Sequence, residues 1–377
     1  MIIGQFGESY PPTIDGVGGV MYNYCKEMDR RGHRSIFVGP DNKKSEPLTD
    51  CETVLYPSMR FSSKTPYRFG IPQMLPSVKK ELMDIPFDIV HAHAPFFAGK
   101  MALEIKRKKN IPLVSTFHSK YYDDALRVTH SKVLAGKLIR MVLEFYDACD
   151  EIWTVNERTA AVLRGYGYHG PIVIMQNGID PNEQQTLGDI SDLNLSADVP
   201  QLLFVGQQDY KKGTRQLIDA CGILKKQGKP FHLTMVGEGQ DQEALMRQAE
   251  ELGLEEEVLF TGKISNRPRL MAIYSQADLF VFPSVYDNAP LVVREAALVG
   301  TPSLVVEGSC AAEGMEDGVN GFLCDGTAED IARRIEAALP AAAAVGEKAR
   351  LSIPITWESI GGYVEERYQA LVRKYKE

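Results

Sequence analysis

At 377 residues with 44% hydrophobic content, the chain exceeds one ordinary core and divides into two domains of roughly 150–200 residues each. The net charge of −8 is uneven: residues 1–180 carry 23 Lys and Arg against 20 Asp and Glu, whereas residues 181–377 carry 19 against 30. With a pI near 5.5, this excludes the basic face of a nucleic-acid-binding protein, and only the first half suits an anionic surface.

No run of about 18 apolar residues is present, and MIIGQF at the N-terminus reads as a buried strand with no basic flank or cleavage site. A cytoplasmic protein is expected, at most peripheral to the inner face of a membrane. Cys25, Cys51, Cys149, Cys221, Cys310 and Cys324 form no CxxC pair, so they read as reduced core residues, not zinc ligands or disulfides.

Short apolar runs alternate with amphipathic segments in both halves, the pattern of parallel sheets covered by helices. The fold class expected is α/β, with two Rossmann-like doubly wound domains facing a central cleft. Strands are predicted at 2–6, 35–38, 89–91, 113–116, 151–155 and 172–175, then at 201–205, 232–236, 258–261, 279–282 and 303–306. Residues 1–180 form the first domain, the polar segment 181–199 the hinge, 200–358 the second domain, and 359–377 a helix that crosses back to the first.

Ligands in such sheets bind beyond the carboxyl ends of the strands, so the loops there carry the information. The first strand leads through Tyr10 and the glycines Gly16, Gly18 and Gly19 into a helix over 21–31. This loop is not GxGxxG, because Met21 stands where the third glycine belongs; it is either a tight turn or a close approach to phosphate. The strand at 89–91 ends in His91-Ala-His93. An HxH pair without a third ligand argues against a metal, and His93 reads as facing an acceptor. The strand at 113–116 ends near His118, Lys120 and Tyr121, where an imidazole can hydrogen-bond a sugar hydroxyl or steady a leaving pyrophosphate. Downstream, Arg127, Lys132, Lys137 and Arg140 share a segment with Leu126, Val133, Leu134, Leu138, Ile139 and Leu143. Such a segment is either a helix resting on an anionic bilayer or one facing the core.

In the second half, the strand at 201–205 runs into Gly206-Gln207 and then Lys212-Gly213. Lys212 is either a diphosphate-neutralising lysine or a solvated one. Gly237 follows the next strand, and Gly262, Lys263 and Ile264 follow the third, where backbone groups can meet a base. The strand at 279–282 leads into Asp287, Asn288, Ala289, Pro290 and Leu291, with Pro290 in the first turn of a helix that holds Glu295 and ends by Gly300. Its free N–H groups suit phosphate, Asp287 suits sugar hydroxyls, and Glu295 suits the vicinal diol of a ribose.

Taken in order, YPP (10–12), GVGG (16–19), RGH (31–33), DIVHAH (88–93), STFHS (115–119), NGID (177–180), KKG (211–213), VGEG (236–239), FTGKI (260–264), PSVYDNAPLVVREA (283–296), GTP (300–302) and DGVNGF (317–322) resemble the family 4 retaining glycosyltransferases of the GT-B fold. The likeness spans nearly the whole chain and is nearest to the branch that builds bacterial glycolipids. It implies transfer from a nucleotide diphosphate sugar, usually a UDP-sugar, bound by the second domain, to an acceptor bound by the first: a glycan, a glycolipid or a small molecule. No cofactor and no metal is implied, and the chain has no Asp-x-Asp. By this resemblance His118, Lys212 and Asp287 are catalytic. Gly18, Gly19, Gln207, Lys212, Gly237, Lys263, Ile264, Asn288, Ala289, Pro290, Leu291 and Glu295 hold the donor, and Tyr10, His93, Lys120 and Tyr121 lie on the acceptor side. Two departures stand out: Gln207 replaces a common Arg, removing a guanidinium fork from an anion site, and Asp287 replaces the first Glu of a paired-glutamate motif. A UDP-sugar epimerase or hydrolase of similar architecture, or a non-catalytic sugar-nucleotide binder, are the alternatives.

Overall fold

The computed structural model of the protein describes residues 1–9, 16–41, 51–60, 68–118, 120–193, 195 and 198–377. They form two units, one of residues 1–177 with 357–377 and the other of residues 178–356.

In the first unit the apolar runs become β1 (Ile2–Phe6), β2 (Arg34–Pro40), β3 (Glu52–Tyr56), the small antiparallel pair β4 (Met59–Arg60) and β5 (Arg68–Phe69), β6 (Ile89–Ala92), β7 (Leu113–Phe117), β8 (Glu151–Thr154) and β9 (Ile172–Ile174). Among the described residues, seven of these pair in parallel in the order β3-β2-β1-β6-β7-β8-β9. The order reverses between β1 and β6, so the crevice that favours ligands opens beyond Phe6 and Ala92. Helices α1 (Gly16–Arg30), α2 (Pro76–Asp84), α3 (Phe97–Lys109), α4 (Tyr121–Thr129), α5 (Lys132–Asp147) and α6 (Glu157–Gly165) connect the strands. Phe6, Val90, Ala92, Leu113 and Phe117 pack on one face against Met101 and Ile105 of α3 and Val142 and Phe145 of α5. Strand alternation therefore sends Gln5, His91 and Thr116 to the opposite face.

The second unit repeats the scheme with β10 (Gln201–Val205), β11 (His232–Val236), β12 (Val258–Gly262), β13 (Leu279–Phe282), β14 (Ser303–Val306) and β15 (Phe322–Cys324), all parallel, in the order β12-β11-β10-β13-β14-β15. Its helices are α7 (Thr214–Lys226), α8 (Gln242–Glu251), α9 (Arg267–Gln276), α10 (Leu291–Leu298), α11 (Ala328–Ala338) and α12 (Ala342–Ser352). Leu203, Phe204, Met235 and Phe280 meet Leu217, Leu245 and Ile335 in its core. Here the reversal lies between β10 and β13.

The polar segment read as a hinge is strapped to α9. Arg267 forks onto Glu183 at 3.0 and 2.6 Å, Arg269 forks onto Asp192 at 2.8 and 2.7 Å, and a Cβ on Gly188 would lie 2.7 Å from the Arg269 nitrogen.

The final helix α13 (Trp357–Lys376) belongs to the first unit. Trp357, Ile360, Val364, Tyr368 and Leu371 recur at helical spacing and are buried. Arg31 donates to Glu365 at 3.2 Å and His33 Nε2 lies 2.9 Å from the same carboxylate, so the RGH motif clamps α13. At Gly361 a Cβ would come within 2.2 Å of Glu27, which lets α1 and α13 meet closely.

Both units have the α/β doubly wound architecture expected from the sequence. Three differences have plain causes. The helix predicted over 21–31 starts at Gly16, so Gly18 and Gly19 are in its first turn and not in a loop. Pro290 is the N-cap of α10, not its first helical residue. Strands β3 and β15 were not anticipated, since one opens on the polar pair Glu52-Thr53, leaving only three apolar residues, and the other is three residues long. All six cysteines are free. Among the described residues no helix is long and apolar enough to cross a membrane.

Candidate active site

At the switch point of the second unit, the loops after β10 and β13 are joined by charge. Lys212 Nζ donates to Asp287 Oδ1, and Ser284 Oγ donates to Asp287 Oδ2 at 2.6 Å. Lys212 and Asp287 are 12% and 19% exposed, enough to engage a ligand while still shielded from water. Close backbone contact sets the pairing, because Gly213 has φ of +72° and a Cβ there would sit 2.3 Å from the Pro283 carbonyl oxygen. Lys211, not anticipated from the motif, pairs with Asp209 at 3.3 Å, and its Nζ lies 4.8 Å from the centre of the Tyr286 ring.

Beyond Asp287, Asn288, Ala289 and Pro290 are half-buried and lead into α10, whose N-cap makes no side-chain hydrogen bond. Its leading N–H groups and positive dipole end accompany the Lys212–Asp287 pair at the same sheet edge. Gly237, at φ of +130°, presses on the Gly206 carbonyl, where a Cβ would come within 2.0 Å. Gln207 and Lys263 are exposed, whereas Leu291 and Ile264 are half-buried and Ile264 packs on the core.

Glu295 lies within α10 and is 8% exposed. One of its oxygens accepts from Arg267 at 2.9 Å and the other from Tyr274 Oη at 3.0 Å. A carboxylate has about four acceptor sites, so both oxygens keep capacity for a diol. Burial disfavours the Arg267 cation, but Glu295 and Glu183 outweigh it and hold the guanidinium above its ordinary range. Burial, then the Glu295 charge, keep the Tyr274 hydroxyl well above the usual phenol value. Arg267, Tyr274 and Glu183 were missed from sequence, since each is remote from the motif and polar for no local reason.

In the first unit, His118 follows β7 and is half-buried. Its Nε2 is 3.0 Å from His93 Nδ1, and His93 Nε2 is 2.8 Å from Gln5 Oε1. Gln5 Nε2 donates to Tyr368 Oη at 3.1 Å, which lies 2.6 Å from His91 Nδ1, and His91 Nε2 is 2.7 Å from Thr116 Oγ1. The rings of His91 and His93 stack at 4.1 Å and those of His93 and His118 at 5.3 Å. Burial lowers all three histidines, His118 to about 4 and the other two well below the ordinary value. All three are therefore neutral at pH 7.

This arrangement corrects two expectations. His93 is 1% exposed with both ring nitrogens engaged, so it does not itself face an acceptor. Tyr121 is 7% exposed and packs edge-on against Phe96 and Phe117, which makes it part of the core. Lys120 is half-buried at the N-cap of α4. Gly18 is buried and Gly19 exposed, with open space where a Cβ would stand. Tyr10 lies outside the described residues. Glu8, not anticipated, follows β1 and accepts from the Ala98 N–H of α3 at 2.7 Å. Burial raises its carboxyl to about 7 against the lowering pull of the Ala98 and Phe97 N–H groups.

Two family models divide the chain between them. Residues 14–183 match "Glycosyltransferase Family 4" and residues 189–350 match "Glycosyl transferases group 1". The chain belongs to the family 4 glycosyltransferases. This glycosyltransferase is 24% identical over 315 residues to the alpha-monoglucosyldiacylglycerol synthase of Streptococcus pneumoniae, covering 80% of this chain and 70% of that protein. It is 28% identical over 303 residues to the glycogen synthase of Mycobacterium tuberculosis, covering 76% and 69%. Among solved structures, Anabaena HepE in complex with UDP and glucose shares the GT-B fold, with a TM-score of 0.76, 20% identity, and 98% of this chain and 99% of that one covered.

Proposed function

We propose that this glycosyltransferase moves a hexose from a UDP-sugar to an acceptor hydroxyl, with retention at the anomeric carbon and without a divalent metal. The observation that carries the reading is the Lys212–Asp287 pair at the switch point of the second unit, beside the start of α10. Lys212 and the α10 N–H groups supply the positive charge a diphosphate needs, Asp287 takes sugar hydroxyls, and Glu295 takes the ribose. His118 supports the sugar and its β-phosphate. The second unit binds the donor and the first the acceptor. In the transfer the anomeric C–O bond to phosphate breaks with its electron pair leaving on UDP. The acceptor oxygen bonds to the same face, and its proton passes to the departing phosphate oxygen.

A membrane-lipid acceptor is favoured by α4 and α5. Val128, Val133 and Leu134 are 65%, 69% and 51% exposed, Lys132, Lys137 and Arg140 are exposed on the same segment, and a 490 Å³ pocket opens between Gly136, Ile139, Val162 and Gly165. An apolar strip flanked by cations suits an anionic bilayer. The diacylglycerol relative points the same way.

The test is incubation with UDP-, GDP- and ADP-sugars, with diacylglycerol vesicles or soluble glycans as acceptors, and proton NMR of fresh product. Transfer from the UDP-sugar with the donor's anomeric configuration is the expected result. An inverted linkage overturns retention, and epimer or free sugar in place of product overturns transfer.

A further inference from the structure

One polar chain in the first unit runs between the sheet and α13: Thr116, His91, Tyr368, Gln5, His93 and His118. Gln5, His91 and Thr116 come from three adjacent strands and point to one face, since Gln5 pairs with His91 in register and Thr116 lies one step further along, with His93 just past the end of β6. Tyr368 arrives on α13, and Tyr24 and Trp153 close the sides, with the Trp153 and Tyr368 rings stacked at 5.4 Å.

Every histidine in this chain can donate from either nitrogen, and the tyrosine can donate or accept. Only the amide of Gln5 has a fixed polarity, with distinct donor and acceptor ends. Its Nε2 donates to Tyr368; with the phenol proton directed to His91 Nδ1, every group on that side is satisfied and His91 Nε2–H donates to Thr116. Its Oε1 faces His93, so His93 Nε2 carries the proton and His93 Nδ1 must accept. That acceptor requires a proton on His118 Nε2. Reversing the Gln5 amide would reverse every donor along the chain.

We propose that Gln5 and Tyr368 are positioning residues for His118, holding it in the Nε2–H tautomer with its lone pair on Nδ1. His118 then acts toward a sugar hydroxyl as a hydrogen-bond acceptor, not as a donor or a cation. Such an acceptor steadies a hydroxyl and leaves charge neutralisation to Lys212. The inference rests on His118 belonging to the donor-sugar site.

Histidine-selective ¹⁵N labelling reads the tautomer directly, with the His118 signals assigned from His118→Asn. In the full chain at pH 7.5, His118 is expected as Nε2–H. In Gln5→Met and in Tyr368→Phe, neither of which touches His118, the spectrum is expected to show mixed tautomers, with kcat lower by roughly tenfold or more, as when a catalytic imidazole loses its tautomer control, and KM for the UDP-sugar within about twofold. Tyr368→Phe keeps the ring packed on Trp153 and serves if Gln5→Met folds poorly. An Nδ1–H tautomer in the parent protein, or an unchanged spectrum in both variants, overturns the inference while leaving the site assignment intact. Full activity in His118→Asn removes the site assignment, whatever the spectrum shows.

Discussion

Lys212 and Asp287, 75 residues apart in sequence, form a direct ion pair that joins the loops after β10 and β13. The lysine of the KKG motif and the aspartate of the PSVYDN motif are therefore one device. Lys212→Ala leaves a mostly buried carboxylate with Ser284 as its remaining partner, so it should lower stability by about 1–3 kcal/mol as well as weaken the donor. Asp287→Asn should cost less stability, because an amide still accepts from Lys212. Calorimetric titration with UDP and urea unfolding separate the two effects: a Lys212→Ala protein that binds UDP as tightly as the parent would rule out its diphosphate role.

Gly213 cannot be replaced cheaply. A side chain there meets both a left-handed φ and the Pro283 carbonyl, so Gly213→Ala should destabilise by about 2 kcal/mol or more. It should also raise KM for the donor by moving Lys212. Thermal unfolding and donor kinetics check both expectations.

Arg267 holds Glu295 by one nitrogen that also reaches Glu183. Arg267→Ala should cost about 1–2 kcal/mol, since the guanidinium is 40% exposed and partly screened. Glu295 would then lie near Glu183 with its cation gone, and UDP affinity should fall by about tenfold, or 1.4 kcal/mol. A fall of the same size for inorganic pyrophosphate, which lacks ribose, would contradict the diol role of Glu295.

Acid should unfold this protein early. His91, His93 and His118 titrate below the unfolded value of 6.5, so below that pH the unfolded chain binds protons that the native one does not. Stability is then complete above about pH 6.5 and falls on acidification, by up to about 1.4 kcal/mol per pH unit for each histidine. Glu8 acts in the opposite sense. Its carboxyl is raised from 4.5 to about 7, so the native state holds an extra proton in that window and its share of stability is lost as pH rises through it. Glu8→Gln should therefore gain on the parent between pH 5 and pH 8, by on the order of 1–3 kcal/mol. Urea midpoints measured at pH 5, 6, 7 and 8 test both slopes.

Charge reversal on α5 probes the lipid reading. Replacing Lys132, Lys137 and Arg140 with Glu should abolish co-sedimentation with anionic vesicles at low salt, each cation contributing about 1 kcal/mol near such a surface. Transfer to a short soluble acceptor should persist. Equal sedimentation of parent and variant would remove the membrane role.

Most strands were legible because parallel strands buried on both faces are written as short, predominantly apolar runs, as in IIGQF, LVSTF and LFVF. The loops proposed to hold the donor were legible for a related reason: each follows such a run, and those after β10, β11 and β12 hold glycine beside charge. Gly16, Gly18 and Gly19 misled, since three glycines so close together look like a loop where they in fact open α1. The fate of His93 was not legible. Period-two alternation says which face it shares with His91 and Gln5, but what covers that face comes from Tyr368, 275 residues later. Arg267 was hidden similarly, because its two carboxylate partners lie 84 and 28 residues away.

Helix α13 gives the first unit a part that the ribosome makes only after the second unit. Residues 1–177 emerge with Gln5, His91, Tyr24 and Trp153 lacking their cover, while residues 178–356 hold everything their own sheet needs. The order of synthesis and the order of completion are thus inverted: the later-made unit can close first, and the earlier one waits for Tyr368. Placing α13 ahead of β1 in the chain by circular permutation would restore the usual order for the first unit.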